Sequence, residues 1–206
     1  MPFPDKKYAE IARLCDAYFE EAARAAASVD RDALARAGSM VAGAYGAGRC
    51  VYSCGNGGSA AIANHLVCDH MKGCQTDTDL KPRVVSLSAN LETLTAIAND
   101  ISYDEVFAYQ LRTLGRPGDV LITVSSSGDS ENVVRACRAA REAGIEVIAM
   151  TGFAGGRSAG LADVNLHVQG DNYGVVEDTH QSLMHILAQF TRMAHMPEAL
   201  IGERRF

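Results

Sequence analysis

Five short apolar runs recur along this chain with helical patterns between them, and that alternation leaves few architectures open. The runs are Cys50 to Cys54, Val84 to Leu87, Val120 to Val124, Val147 to Met150 and Val164 to Val168. The third, Val120-Leu121-Ile122-Thr123-Val124, has no regular polar alternation, so a strand there must be covered on both faces. The expectation is an α/β fold with a five-stranded parallel sheet flanked by helices. Two helical patterns precede the first strand. Tyr8 to Ser28 carries Ile11, Leu14, Cys15, Tyr18, Phe19 and Ala22 at helical spacings, and Arg31 to Tyr45 follows with Asp30 as its N-cap. The chain of 206 residues fits one domain spanning 1–206, with a helical extension over about 5–46. No repeat or linker suggests a second. Gly, Asp, Thr and Pro residues make Gly73 to Arg83 the expected exposed connection.

Two of the strand ends carry chemistry. Val51 to Cys54 runs into Gly55-Asn56-Gly57-Gly58-Ser59 and then a helix expected over Ala60 to Met71. Small residues at a helix N-terminus let backbone N–H groups and a hydroxyl approach a phosphate. One glycine turn is weak evidence, but the second loop strengthens it. Val120 to Val124 opens into Ser125-Ser126-Ser127-Gly128-Asp129-Ser130 before a helix over Glu131 to Ala143. A cap needs one hydroxyl, and here four serines fall within six positions. The Gly-Lys-Ser/Thr pattern of nucleotide-triphosphate loops is missing, which favours a monophosphate. Both loops follow strand C-termini, where open parallel sheets place ligands.

Acid–base groups lie close to these loops in sequence. His65 and Asp69 stand at i and i+4 on the helix after the first loop, so both project to one side. On a late helix expected over Val175 to Met196, Glu177, Gln181 and His185 share one longitudinal stripe, while His180 points about 140° away from His185. A lone histidine is more often structural, which is the reading for His70, His167 and His195. The six cysteines contain no Cys-x2-Cys pair and read as reduced, largely structural thiols.

The pair Gly-Asn-Gly-Gly-Ser and Ser-Ser-Ser-Gly-Asp-Ser, in this order and at this separation, resembles the sugar isomerase (SIS) domain, which binds phosphosugars. Leu94 to Asp100, Asp104 to Phe107, and the late helix with Glu177, His180 and His185 resemble the phosphoheptose isomerases within it. The resemblance covers roughly residues 5 to 195. It implies a flavodoxin-like single SIS domain that interconverts sedoheptulose 7-phosphate and D-glycero-D-manno-heptose 7-phosphate through an enediol. The matched family positions hold His, Glu, Gln and His, contacting sugar or a divalent metal. Here they are His65, Asp69, Glu177 and His185, so Asp69 stands for glutamate and Glu177 for glutamine. The implied catalytic pair is Asp69 as base and His185 as acid–base partner. The implied metal set, for zinc or another divalent ion, is His65, Asp69, Glu177 and His185. Ser59, Ser125, Ser126, Ser127 and Ser130, with Gly57 and Gly58, would hold the phosphate, and Asn56, Asn99, Asp100 and Glu177 the sugar. The resemblance also implies a homotetramer with active sites near subunit interfaces.

Composition bounds the alternatives. A content of 48% hydrophobic residues excludes disorder, and the formal charge of −6 argues against nucleic acid or an anionic membrane as partner. No apolar run approaches the roughly 18 residues that span a bilayer, and no signal-type block follows the polar start, so the expected location is cytoplasmic. Two other functions stay open at this level: isomerisation of a different phosphosugar, and a non-catalytic adaptor like the SIS protein that associates with the bacterial replication initiator.

Overall fold

The computed structural model describes residues 3–206. Two helices come first, α1 (Ile11–Ser28) and α2 (Arg31–Gly46), followed by β1 (Cys50–Gly55) and α3 (Gly58–Cys68). The chain continues through β2 (Arg83–Ser86), α4 (Leu91–Asp100), α5 (Ala108–Leu114), β3 (Val120–Ser125) and α6 (Glu131–Glu142). Its last part comprises β4 (Glu146–Thr151), α7 (Gly156–Leu161), β5 (Val164–His167), α8 (Tyr173–His195) and α9 (Glu198–Ile201). Asp30 caps α2 as expected, its carboxylate accepting from the Asp32 and Ala33 amides.

All five strands pair in parallel in the order β2-β1-β3-β4-β5. This is the flavodoxin-like order, whose topological switch point lies between β1 and β3. The two strands that open into the serine and glycine loops are therefore the two that flank the switch point. Alternate residues of the buried strands feed two cores. Val51, Ile122, Val124, Ile148 and Met150 face α2, α3 and α8, while Tyr52, Leu121 and Val147 face α5 and α6. Asp119, almost fully buried, accepts hydrogen bonds from the Cys50 and Arg116 amides and ties the start of β3 to β1.

Two expectations are corrected. The helix after the first loop does not run regularly to Met71: α3 ends at Cys68 and a π-helical turn occupies Asp69–Gly73, with the Cys74 amide bonded to the Asp69 carbonyl at 2.9 Å. The wider turn rotates His70 into the core, where its Nδ1 lies 2.7 Å from the Tyr45 hydroxyl. Nor is the Gly73 to Arg83 connection simply exposed. Cys74 and Leu80 are buried in the first core, anchoring the segment that polar composition alone placed on the surface. All six cysteines are free; four are buried and Cys15 and Cys68 are exposed.

Burial pushes His70 and His180 down from 6.5 to about 4, so both are neutral in the folded chain. The unfolded chain takes up these protons first as pH falls. Stability is therefore complete above about 6.5 and is lost down to about 4, by at most about 1.4 kcal/mol per pH unit per histidine. Glu105, Asp129 and Glu131, held low by arginines, act only at more acid pH. Urea midpoints should fall between pH 6.5 and 5, with a smaller slope in His180→Gln. An unchanged slope in both His180→Gln and His70→Gln would refute this account.

Candidate active site

The first loop turns because Gly57 takes φ +54°, ψ −124° and Ser59 enters the first turn of α3, nearly buried. Ser88 closes the loop from below, its hydroxyl accepting from the Gly55 amide and donating to the Gly55 carbonyl. In the second loop the hydroxyls divide. Those of Ser125 and Ser127 accept from the Gly128 and Asp129 amides and shape the turn. The Ser126 hydroxyl is buried without a hydrogen-bond partner, and Ser130 caps α6 without a side-chain bond to its amides. A buried, unpaired hydroxyl is costly unless a ligand completes it.

The two loops are tied to each other. Asn56 and Asn132 exchange reciprocal side-chain hydrogen bonds of 2.9 Å, and the Tyr103 hydroxyl donates to Asn56 Oδ1 at 2.8 Å. Asn56, expected on the sugar, thus has its amide engaged between β1 and α6. Asn99 and Asp100 lie at the exposed end of α4, bonded to each other at 2.8 Å. A third glycine-rich turn, after β4, buttresses the serine loop. Gly128 has φ +62°, and any Cβ there would collide with the Gly155 carbonyl. From the start of α7, Arg157 grips Asp129 at 2.5 Å and Glu131 at 2.6 Å. Its guanidinium and that of Arg135 pull the Glu131 carboxyl down to about 2, Arg135 having the larger effect.

Helices α3 and α8 lie side by side in the same direction, and their facing residues build the chemical end. Glu177 sits over Gly58, where any Cβ would strike its carboxylate. Burial, and secondarily Asp178, pushes the Glu177 carboxyl up. One turn further, Gln181 Nε2 lies 3.1 Å from His65 Nδ1 and 3.0 Å from His185 Nε2. One turn beyond that, Asp69 meets both imidazoles, with Oδ2 2.7 Å from His185 Nδ1 and Oδ1 3.2 Å from His65 Nε2. The four side chains close a ring. A cavity of about 530 Å³ opens beside Asp69 and His185, with Cys68, Lys72 and Arg192 in its walls. A larger hollow of about 910 Å³ lies along α1 and the segment before it, but it is lined by mixed charges and by none of this constellation.

The donor atoms of His65, Asp69 and His185 lie within 4.8 Å of one another. Two imidazoles and a carboxylate suit zinc or a similar divalent ion and leave a position open for another ligand. Glu177, grouped with them on sequence grounds, falls outside this cluster. Gln181 falls inside the ring, although sequence reasoning gave it no role; its place on the stripe of Glu177 and His185 was the available signal. Asn132, Tyr103, Ser88 and Arg157 were also missed, because no local spacing links them to the loops they hold.

The open parallel sheet with serine- and glycine-rich loops at its switch point agrees with a family match: the family described as "SIS domain" matches residues 17–152. The probable phosphoheptose isomerase of Thermoplasma acidophilum is 36% identical over 174 residues, covering 82% of this chain and 93% of that one. The phosphoheptose isomerase of Colwellia psychrerythraea is 38% identical over 79% of this chain and 84% of its own. The solved structure of phosphoheptose isomerase GmhA from Neisseria gonorrhoeae superposes with a TM-score of 0.81 at 34% identity, covering 88% of this chain and 98% of that one. The chain belongs to the SIS domain family and to the phosphoheptose isomerase group within it.

Gly128→Ala forces a side chain into left-handed backbone against a fixed carbonyl, a strain of about 1–3 kcal/mol. The variant should fold and bind inorganic phosphate about tenfold more weakly or worse in a calorimetric titration. Binding equal to that of the parent chain would show that the serine loop does not form the phosphate site.

Proposed function

We propose that this chain is an aldose–ketose isomerase that interconverts sedoheptulose 7-phosphate and D-glycero-D-manno-heptose 7-phosphate. The observation that carries the reading is the ring of His65, Asp69, Gln181 and His185, in which α8 brings Gln181 and His185 against the helix, and the turn continuing it, that begin at the proposed phosphate loop. From Ser59 to His65 the helix rises about 9 Å, so phosphate and acid–base groups are well separated. That distance suits a long open-chain sugar phosphate held by one end.

The phosphate binds the amides and hydroxyls of the two loops, with Ser126 and Ser130 as free donors and the N-termini of α3 and α6 adding positive potential. Asp69 takes the proton from C1 or C2 and returns it to the neighbouring carbon. His185, held to Asp69 through Nδ1, moves the proton between the two substrate oxygens through Nε2 when the substrate takes the place of the Gln181 amide there. His65 orients Asp69 from the other side. A divalent cation, zinc or a harder ion, would be held by His65, Asp69 and His185 and would stabilise negative charge on the enediolate oxygen. Asp69 has one oxygen toward each ring, so a single carboxylate can serve both the ion and the proton.

The working form we propose is a cytoplasmic homotetramer with its active sites near the subunit interfaces. Exposed Ile11 and Phe19 on α1, and Ile186, Phe190 and Met193 on α8, support burial of these helices between copies. Light scattering on the purified chain should give four times the mass of 21.9 kDa; a monomer would overturn this part.

Sedoheptulose 7-phosphate should be isomerised by the purified protein, followed by NMR with metal-stripped and zinc-loaded samples in parallel. Asp69→Asn should remain folded and lose about 100- to 10,000-fold in rate. Turnover of another ketose phosphate in place of this one would move the assignment to a different sugar, and normal turnover by Asp69→Asn would remove it as the base. Capture of a replication initiator without phosphosugar binding would favour the adaptor role.

A further inference from the structure

The outer nitrogens of both imidazoles converge on one amide. Gln181 Nε2 is within hydrogen-bond distance of His65 Nδ1 and of His185 Nε2, while the inner nitrogens, His65 Nε2 and His185 Nδ1, face the two oxygens of Asp69. A neutral imidazole carries one proton, so the partner at one nitrogen decides the state of the other. With the amide NH2 turned inward, Gln181 donates to both outer nitrogens. Each ring then holds its proton on the inner nitrogen and gives it to Asp69. With the amide turned by half a revolution, the carbonyl oxygen accepts from both outer nitrogens. Each ring then holds its proton outside, and both inner lone pairs point at the place that Asp69 also faces.

We infer that Gln181 is the positioning residue that sets the tautomers of His65 and His185 together, and that its amide orientation decides whether their inner nitrogens can ligate a divalent cation. The inference rests on the proposed metal reading of the ring and deepens it. No proton is gained or lost by the two rings in the exchange; each shifts its own from the inner to the outer nitrogen through solvent. One side chain serves two rings because α8 lays Gln181 against His65 across the helix pair and one turn before His185 on its own helix. Metal-bound histidines commonly give their other N–H to an oxygen acceptor, and loss of such a partner weakens metal binding about 10- to 100-fold. Glu177 is one turn away over Gly58 and does not share this place.

The test uses two variants and two readouts. Gln181→Glu offers only acceptor oxygens, whereas Gln181→Leu offers none. Zinc affinity is measured by competition with a chromophoric chelator. The ring tautomers are read from 15N–1H spectra of the histidines in metal-stripped and zinc-loaded protein. The expected result is that Gln181→Glu binds zinc at least as tightly as the parent chain and Gln181→Leu binds it 10- to 100-fold more weakly. In the parent chain, zinc should move the protons to His65 Nδ1 and His185 Nε2. Equal affinity in Gln181→Leu would overturn the role of Gln181 while leaving the metal site intact. A parent chain that takes up no zinc would overturn the metal reading itself and this inference with it.

Discussion

The site depends on the parallel, in-register packing of α3 against α8. Ile62 and Leu66 on one helix and Leu183, Met184 and Leu187 on the other are buried in the same core, and burial of this size outweighs any single polar contact at the surface. With the axes fixed, residues one turn apart on α8 meet residues along α3 in sequence: Glu177 over Gly58, Gln181 beside His65, His185 beside Asp69. The hydrogen bonds of the ring therefore need not assemble the site. The apolar seam sets the spacing, and the polar groups close over distances already near their optimum.

The same arrangement explains how a shorter acid can occupy the Asp69 position. Aspartate has one methylene less than glutamate, the residue that the family resemblance implies at this position. The π-helical turn that begins at Asp69 widens the backbone at this residue. The carboxylate then reaches both imidazoles, and His70 is carried inward to Tyr45. The buried pair of His70 and Tyr45 holds the wide turn in place, so backbone geometry and side-chain length are coupled.

Much of the fold was legible because buried parallel strands write themselves as continuous apolar runs, and all five were found to within a residue or two at their ends. The cap at Asp30 and the two turns that follow β1 and β3 were legible from local chemistry as well. The π turn was not legible, since a regular helix and a π turn share the same apolar spacing until the extra residue has to be placed. Asn132 and Arg157 were hidden for a different reason. Each stabilises a loop from a distant element, and such contacts leave no local pattern. Gln181 was visible on its stripe, but an amide carries no titratable group to draw attention, and only the approach of α3 gives it two partners.

Glu177 brings the two ends of the site into electrostatic contact. Its carboxylate lies over Gly58, at the positive end of the helix whose first turn also belongs to the phosphate loop. A helix N-terminus favours the carboxylate, while burial opposes it and pushes the Glu177 carboxyl up. A phosphate bound at the proposed site would favour the protonated acid further, since like charges in a partly desolvated site repel. Glutamine at this position would be neutral throughout. With glutamate, by contrast, the charge over Gly58 would depend on whether an anion occupies the proposed phosphate site at this helix terminus.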